Sequence, residues 1–338
     1  MKTETPLSVD NSGPYVSIVT VTYNSESVIR AFLDSLNRMM EKLGLFVETI
    51  ITDNASKDAT AEILRDSHRY SNLHVSLVLN QRNVGLSKAL NEMLRLCRGK
   101  RILICNPDIA FTESIREMLK ISEHHPELVL VPELLDADGT PQRLIYRRFP
   151  TILRVISDFT VMGRSVPKLL NRIRDDYRYV GRRFRSPIDN LEQTSAVCML
   201  VSRKVVDMVS PFYDPAFPVY WNDVDMSKRA EVLGVQRVIV PATKIIHGLG
   251  QSSKGARPEK IAMLFYSAHG MIGYARRWNM YPNLIRLILF CDTIFWIQRE
   301  VVMRMIGRKT RELARMRALG PFAEMARTHL LPFRCSLR

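Results

Sequence analysis

The sequence predicts an α/β protein built on a mostly parallel sheet with helices on both faces. Short β-branched runs alternate with helical patterns up to residue 135, which is the arrangement that right-handed crossovers between parallel strands produce. The apolar share of 46% supports a packed core and excludes a disordered chain. The 338 residues correspond to about two domains, or to one domain with additional segments.

Five strands and four helices are predicted in this first part of the chain. The strands are residues 16–21, 47–52, 74–79, 101–105 and 128–131. The helices are residues 25–43, a helix from about 58, and residues 86–97 and 112–124. Compact β-branched runs favour buried strands, and the helical segments space their apolar residues three and four positions apart.

The net charge of +15 is concentrated in two stretches. Residues 143–185 contain twelve basic and three acidic residues, and residues 276–338 contain thirteen basic and four acidic residues. The rest of the chain is close to neutral. We therefore expect a near-neutral body with two basic surfaces.

The cysteines and the apolar segments indicate the cellular compartment in which we expect the chain. Five cysteines are scattered without a CxxC pair, which argues against a disulfide framework or a zinc module and favours a reducing compartment. The N-terminus has no apolar signal-peptide region. Residues 284–297 contain Arg286 and Asp292 and are shorter than the roughly 20 residues of a membrane span. We expect a cytoplasmic chain, or one that lies on a membrane surface.

Polar clusters follow four consecutive strands. They are residues 22–24 (TYN), 53–56 (DNAS), 80–85 (NQRNVG) and 106–108 (NPD). Each cluster alone is also explained by capping of the next helix. Because parallel strands end at one edge of the sheet, where α/β proteins bind ligands, four clusters together favour a polar ligand site.

The residue types in these clusters limit the kinds of ligand that the site could bind. The chain has neither a G-x-G-x-x-G turn after its first strand nor a G-x-x-x-x-G-K-[ST] loop, so the usual phosphate cradles are missing. Carboxylates would repel a bare diphosphate unless a divalent cation lies between them. The oxygen ligands of Asp108 suit Mg²⁺ or Mn²⁺, and Asp53 is placed to accept hydrogen bonds from a base or a ribose.

Six motifs in order resemble the inverting glycosyltransferases of family 2, which have the GT-A fold, and especially their bacterial rhamnosyltransferase-like members. The resemblance covers about residues 16–253, with a weaker tail to about 278. The motifs are VTYN (21–24), TDNASKD (52–58), NVGLSKALN (83–91), CNPD (105–108), YWNDVDMSKR (220–229) and IHGLGQSS (246–253).

The resemblance implies roles for individual residues. Asp108 and His247 would bind the metal, although a lone histidine after an apolar run is also a common strand end. Asn106 stands where the family's metal motif usually has its first carboxylate. The nucleotide-sugar pocket would be formed by Thr22, Tyr23, Asn24, Asp53, Asn83, Gly85, Asn106 and Trp221.

The motif at 220–229 implies the catalytic base. Asp223 matches it, while Asn222 replaces the acid that usually precedes it. The alternative is an acidic helix N-terminus without a catalytic role. For Asp225 we favour that alternative, in which Asp225 caps the helix or pairs with Arg229 four residues on.

The resemblance implies a metal-dependent inverting glycosyltransferase that uses a nucleotide diphospho-sugar, dTDP-rhamnose or another deoxyhexose donor. Its acceptor would be lipid-linked or a polysaccharide, in cell-surface glycan synthesis. The expected organisation is a flexible tail (1–14), a GT-A domain (15–275) and a basic amphipathic helical region (276–338). Within the domain, residues 15–135 bind the nucleotide, 136–190 are a basic insertion, and 191–275 form the acceptor and catalytic half.

Two functions of other classes stay open. A nucleotidyltransferase would also use an α/β sheet, a metal and carboxylates, but it would show a glycine-rich triphosphate loop after its first strand. A catalytically inactive protein that binds a membrane or a partner is the other, because Asn106 and Asn222 both replace acids.

The two basic stretches favour an anionic membrane surface or a lipid-linked acceptor over nucleic acid. In the insertion, arginines alternate with Tyr146, Phe149, Tyr177, Tyr179 and Phe184. Residues 281–317 combine apolar and basic positions with tryptophans nearby, as amphipathic helices in a bilayer surface do. Packing on the protein itself or on a second subunit of a homo-oligomer is the alternative. We expect peripheral association with the inner face of the plasma membrane.

Overall fold

A computed structural model describes residues 13–142, 145–160, 163, 168–182, 184, 189–248 and 257–306. The strands in these residues are β1 (Val16–Thr22), β2 (Val47–Asp53), β3 (Val75–Leu79), β4 (Arg101–Cys105), β5 (Ile109–Phe111), β6 (Val129–Leu135), β7 (Asp189–Leu191), β8 (Cys198–Ser202) and β9 (Arg237–His247). The helices are α1 (Glu26–Leu43), α2 (Thr60–Arg65), α3 (Leu86–Leu96), α4 (Arg116–His124), α5 (Ile152–Phe159), α6 (Lys168–Tyr177), α7 (Arg203–Met208), α8 (Asn222–Val232), α9 (Arg257–Arg277) and α10 (Pro282–Met305).

The predicted elements of the first part are confirmed, with one correction. The helix expected from residue 112 begins only at Arg116, and Ile109–Phe111 forms the short strand β5. Phe111 lies opposite Ile245 of β9 in an antiparallel pair. Pairing with a strand that is distant along the chain therefore overrides the local helical pattern.

The sheet confirms the predicted fold class. Its order is β3-β2-β1-β4-β8-β6-β9-β5, and β7 pairs with the first part of β9. Strands β1 to β4 are parallel to one another. Strand β8 runs antiparallel between β4 and β6, and β6 is parallel to β9. Six of the nine strands in the described residues therefore share one direction, and their carboxyl ends form one edge.

The core explains why the first two strands are rich in β-branched residues. Apart from the half-buried Val21, every residue of β1 and β2 is buried, as expected for central strands covered on both faces. Helix α1 contributes an apolar stripe at helical spacing, which is Ile29, Phe32, Leu33 and Leu36, all fully buried. The helix ends at Gly44, whose φ of 62° is the left-handed conformation that closes many helices.

A second apolar cluster joins α5, the start of α8, α9 and α10. Its buried members are Val155, Phe217, Trp221, Ala268, Met271, Ile272, Tyr274, Ala275, Ile285 and Leu289. A Cβ atom added to Gly270 would lie 2.7 Å from Cδ1 of Trp221, so the close approach of α9 to that ring requires glycine. The expected domain boundaries stay predictions.

Several arginines of the basic insertion form ion pairs with nearby acids in the described residues. Arg148 contacts Asp176 at 3.0 Å and Glu192 at 2.8 Å, and Arg154 contacts Asp176 at 3.0 Å. Arg178 pairs with a buried aspartate of α5. Four of the aromatic residues expected on this surface are buried: Tyr146, Phe149, Tyr177 and Tyr179. They are therefore core side chains, and the expectation of exposed aromatic contacts is wrong for them.

Several predicted segments lie wholly or partly outside the described residues. They include residues 1–12 of the expected tail, residues 249–253 of the last motif and residues 307–338 of the C-terminal region. Within the described part of the chain, no helix combines the length and the apolar character that crossing a membrane requires.

Candidate active site

Asp53 is the last residue of β2, and its carboxylate accepts hydrogen bonds from neighbouring residues. Oγ1 of Thr22 donates to Asp53 Oδ1 at 3.0 Å, and Ser56 donates from its backbone N–H to Oδ2 at 3.0 Å and from Oγ to Oδ1 at 2.5 Å. Asp53 is only 2% exposed, and a buried carboxylate needs such partners. The carboxylate thus fixes the turn after β2, and its contact with a base stays a prediction.

Asn24 ties the turn after β1 to the turn after β2. Its Oδ1 accepts the Lys57 N–H at 2.9 Å, and its own N–H donates to Ser56 Oγ at 2.9 Å. Its φ of 49° lies in the left-handed region, which asparagine tolerates. Tyr23 is 39% exposed, so its ring is accessible to a ligand.

Asn83 and Gly85 position the start of α3. Oδ1 of Asn83 accepts the Gly85 N–H at 2.9 Å and the Nδ2–H of Asn54 at 2.8 Å. Gly85 has a φ of 84°, and an added Cβ atom would lie 3.2 Å from Cβ of Pro218. This glycine therefore serves both the left-handed backbone and the close approach of the loop that precedes α8.

Asp108 and His247 are brought together by the pairing of β5 with β9. Ile109, which follows Asp108, lies opposite His247 in the register, and His247 Nε2 is 3.6 Å from Asp108 Oδ1. Nδ1 of His247 is 2.9 Å from Gln142 Oε1, while Nε2 of Gln142 donates to His247 O at 2.7 Å and to Asp136 Oδ1 at 2.8 Å. These two acceptors fix the Gln142 amide, so His247 donates its Nδ1–H to Gln142 Oε1 and directs Nε2 towards Asp108.

This pair fits a divalent cation. Two ligand atoms of one octahedral ion lie about 3 Å apart, so the separation of 3.6 Å suits a shared ion after a small movement. A histidine held through its other nitrogen by a fixed acceptor is the usual arrangement around a metal. No group of three or more His, Cys, Asp or Glu side chains that could hold a metal occurs in the described residues. Phosphate oxygens and water would complete the coordination, as is common for Mg²⁺.

Asp223 lies in a cavity of about 470 Å³ at the start of α8. Its Oδ2 accepts the Ala196 N–H at 3.3 Å, and its Oδ1 accepts the Val224 N–H at 2.9 Å. Burial raises the pKa of Asp223 above its ordinary value, and these hydrogen bonds and the positive charge of Arg147 act in the opposite direction. A carboxyl with a raised pKa in a cavity is suited to proton transfer.

The metal pair is connected to Asp223 through neighbouring residues, and neither Asp108 nor His247 lines the cavity that contains Asp223. Ala196 donates to Asp223, and the carbonyl of the next residue, Val197, accepts the Asn106 N–H at 2.8 Å. Asn106 stands two residues before Asp108. On the other side Gln142, which holds His247, lines the same cavity as Asp223. Thr22, Asn24, Asp53 and Asn83 do not line this cavity; they lie at the ends of neighbouring strands on the same edge.

Asp225, only two residues after Asp223, has a structural role. It is fully buried, and its Oδ2 accepts Nε of Arg229 at 2.8 Å and Nη1 of Arg277 at 2.9 Å. Its Oδ1 accepts Nε1 of Trp278 at 3.2 Å. The expected pairing with Arg229 is therefore confirmed, and the same carboxylate also joins α8 to α9.

The remaining predicted residues shape the cavity. Trp221 precedes α8 with a φ of 69°, is buried against Tyr274 and forms part of the cavity wall. Nδ2 of Asn222 donates to Ser87 Oγ at 3.3 Å, and its Oδ1 accepts the Asp223 N–H at 2.8 Å. The amide that replaces the usual acid thus connects α8 to α3.

Sequence reasoning missed two residues of this site. Gln142 lies in the predicted basic insertion, where the sequence assigns it no role, although it fixes His247. Arg147 was one of many basic residues, but it lines the cavity, with its guanidinium 5.8 Å from the ring centre of Tyr177. No local pattern separates either residue from its neighbours; only the fold brings them to the site.

Comparisons with known proteins agree with this geometry. Residues 17–157 match the family model described as glycosyl transferase family 2. This part of the chain is therefore similar to the glycosyltransferases of family 2. A mannosyltransferase structure from Pyrobaculum calidifontis, in complex with GDP-Man and Mn²⁺, aligns with 97% of this chain and 90% of its own at a TM-score of 0.52 and 14% identity. That likeness confirms the predicted GT-A fold.

Two mycobacterial relatives show how far the sequence similarity extends. An uncharacterized Mycobacterium tuberculosis protein is 33% identical over 115 residues, which are 33% of this chain and 32% of that protein. This chain therefore matches about a third of the length of that relative. The N-acetylglucosaminyl-diphospho-decaprenol L-rhamnosyltransferase of the same species is 26% identical, over 70% of this chain and 76% of its own.

Proposed function

We propose that this chain is an inverting glycosyltransferase that transfers a sugar from a nucleotide diphospho-sugar to a hydroxyl group of its acceptor. The observation that supports this most is the connection of Asp223 to the Asp108–His247 pair. A backbone link through Ala196 and Val197 joins them on one side, and Gln142 joins them on the other. The candidate base thus lies in a cavity whose wall includes Gln142, the residue that holds the candidate cation ligand His247.

Asp223 would act as the general base. Its two oxygens are fixed by backbone N–H groups, so the carboxylate is held in place before an acceptor arrives. It takes the proton of the acceptor hydroxyl as that oxygen attacks C1 of the sugar. The bond from C1 to the diphosphate oxygen breaks, and its electron pair leaves with the nucleoside diphosphate. Attack from the opposite face inverts C1 in one displacement, and no protein nucleophile is needed.

Asp108 and His247 would hold Mg²⁺ or Mn²⁺. A bound cation of this kind neutralises the charge that develops on a leaving diphosphate. The chain prepares this position by donating the Nδ1 proton of His247 to Gln142, which leaves Nε2 available as a ligand. The burial of Asp108 and His247 keeps both ligands in place.

We further propose rhamnose or another deoxyhexose, carried on dTDP, as the donor sugar and a lipid-linked or polysaccharide acceptor. The similarity to the mycobacterial rhamnosyltransferase supports this choice. The cavity offers the aromatic rings of Phe159, Tyr177 and Tyr220 beside the amide of Gln193. Aromatic faces cover the apolar face of a sugar, while polar groups bind its hydroxyls.

The test is a panel of nucleotide diphospho-sugars that includes dTDP-rhamnose, UDP-sugars and GDP-sugars, each with Mn²⁺ and with EDTA. We expect one donor to raise the melting temperature and to release its nucleoside diphosphate slowly, only with the cation. NMR of a transfer product gives the configuration at C1. Absence of any donor effect would overturn the proposal, and release of pyrophosphate from a nucleoside triphosphate would instead indicate a nucleotidyltransferase.

A further inference from the structure

Helix α10 has two apolar faces, and the structure covers one of them. Ile285, Leu289 and Thr293 are buried, the first two in the cluster that includes α9. At about 100° per residue they form one stripe along the helix. A helix that is apolar on both sides normally lies inside a protein or a membrane.

The outer face carries a long exposed stripe. Its apolar members are Leu284, Leu287, Cys291, Phe295, Val302, Met305 and Ile306. On an ideal helix they fall within an arc of about 100°, centred about 150° from the buried stripe, and they extend over about 30 Å. Gln298 is the polar residue within this arc. Contiguous exposed apolar surface of this length marks an interaction site.

We infer that this outer stripe of α10 binds the surface of an anionic lipid bilayer. The positive charge of this part of the chain indicates that the stripe binds an anionic surface. Residues 276–338 contain thirteen basic and four acidic residues, and Arg299, at the border of the stripe, places its guanidinium 5.1 Å from the ring centre of Trp296. An exposed apolar helix face bordered by an arginine, in a strongly basic part of the chain, matches the acyl and headgroup layers of a negatively charged membrane.

The same charge argues against the alternatives. A second copy docked through this face would bring two strongly positive surfaces together. Residues 307–338 contain eight basic and two acidic residues, so they add to the attraction for anionic headgroups. The inference does not depend on the proposed chemistry, because lipid binding is measured without donor or acceptor.

The test uses the full chain and sedimentation with vesicles of phosphatidylcholine alone, or with 30% phosphatidylglycerol. We expect binding to the anionic vesicles in low salt and at least about tenfold weaker binding to the neutral ones. The double variant Leu287→Glu/Phe295→Glu should bind the anionic vesicles at least about tenfold more weakly than the wild type. The control Phe46→Glu/Leu96→Glu changes two equally exposed apolar residues elsewhere by the same charge, and it should bind as the wild type does.

Circular dichroism checks that both double variants stay folded. Equal vesicle binding by the stripe variant and the wild type would overturn the inference. So would a wild-type chain that forms dimers dispersed by Leu287→Glu/Phe295→Glu, since the stripe would then bind a second copy. A monomeric wild type that binds no anionic vesicles would also overturn it and would indicate that residues 307–338 cover the stripe.

Discussion

Asp223 and Asp225 of α8 are separated by one residue. Replacing each of them by asparagine should affect the activity and the stability of the protein in opposite ways. Asp223→Asn removes the candidate base from the cavity, and Asp225→Asn removes a buried carboxylate that binds three donors. Each change replaces one oxygen by an NH₂ group and leaves the size of the side chain almost unchanged. Each variant is therefore a matched control for the other.

Asp223→Asn should abolish transfer without weakening the fold. A positioned general base contributes about 10²- to 10⁴-fold to the rate. Because burial raises the pKa of Asp223, the folded state favours the protonated carboxyl. The stability contributed by this group is therefore complete below the ordinary value of 3.8 and is lost as the pH rises through the raised pKa. The asparagine variant lacks this loss, so at neutral pH its stability should equal or exceed that of the wild type.

Asp225→Asn should weaken the fold. The carboxylate is fully buried, and Arg229 and Arg277 would lose their common anion. Breaking a buried ion pair by removing one partner costs about 3–5 kcal/mol. Arg277 keeps a second contact, to Asp214 at 2.6 Å, so the expected loss is near the lower end, at about 3 kcal/mol.

Urea denaturation at neutral pH and a transfer assay with the identified donor measure both effects. We expect Asp223→Asn to unfold at or above the urea midpoint of the wild type, with at least about a hundredfold lower rate. We expect Asp225→Asn to unfold at a clearly lower urea concentration. Full transfer activity in folded Asp223→Asn, or wild-type stability in Asp225→Asn, would refute the roles assigned to these carboxylates.

Three further substitutions test the surroundings of the site and the fold. Arg147→Met removes a positive charge that lowers the pKa of Asp223, so the acid limb of the pH profile of kcat/KM should move to higher pH; an unchanged limb contradicts this. Gln142→Met leaves His247 without the acceptor of its Nδ1–H, and Mn²⁺ titration of activity should show about 10- to 100-fold weaker activation, against no change if His247 is not a ligand. Burial opposes the ionisation of Glu48, but the hydrogen bonds that it accepts hold its pKa below 4.5, so its contribution is present above that pH and lost as the pH falls. Glu48→Gln should therefore lower the unfolding free energy by about 1–3 kcal/mol at pH 7 and by less at pH 4, and a pH-independent loss would contradict the assignment.

The sheet edge was predictable because parallel strands impose it. Once residues 16–22 and 47–53 form neighbouring parallel strands, Thr22 and Asp53 must lie side by side, as the register shows. The sequence could not predict that these side chains form hydrogen bonds with one another. Ser56 supplies two of the donors to Asp53, which makes this carboxylate a support of the turn.

The metal pair was predictable only as separate residues. Asp108 and His247 meet through the antiparallel pairing of β5 with β9, and the helical pattern after residue 112 concealed that short strand. Gln142 is 105 residues from His247, so its contact depends on tertiary structure alone. A side chain that positions a metal ligand, as Gln142 does, has no fixed distance along the sequence from that ligand.

Basic composition was a poor guide to basic surface. Asp176 and Glu192 each contact both Arg148 and Arg154, so two carboxylates match the charges of these two arginines. In α10 the pattern predicted one apolar face, whereas the structure has two. The face that includes Ile285 packs against α9, and the other face is exposed. Which face is covered depends on a neighbouring helix, which a periodic pattern cannot reveal.

The central claim is that Asp108 and His247 hold a cation for a nucleoside diphosphate beside Asp223. Calorimetric titration of dTDP, UDP and GDP into the wild-type chain, with Mn²⁺ or with EDTA, tests it most directly. We predict that at least one of them binds with Mn²⁺ and at least about tenfold more weakly with EDTA or in Asp108→Ala, while Asp223→Asn binds it as the wild type does. Equal affinity in EDTA and in Asp108→Ala would contradict the claim.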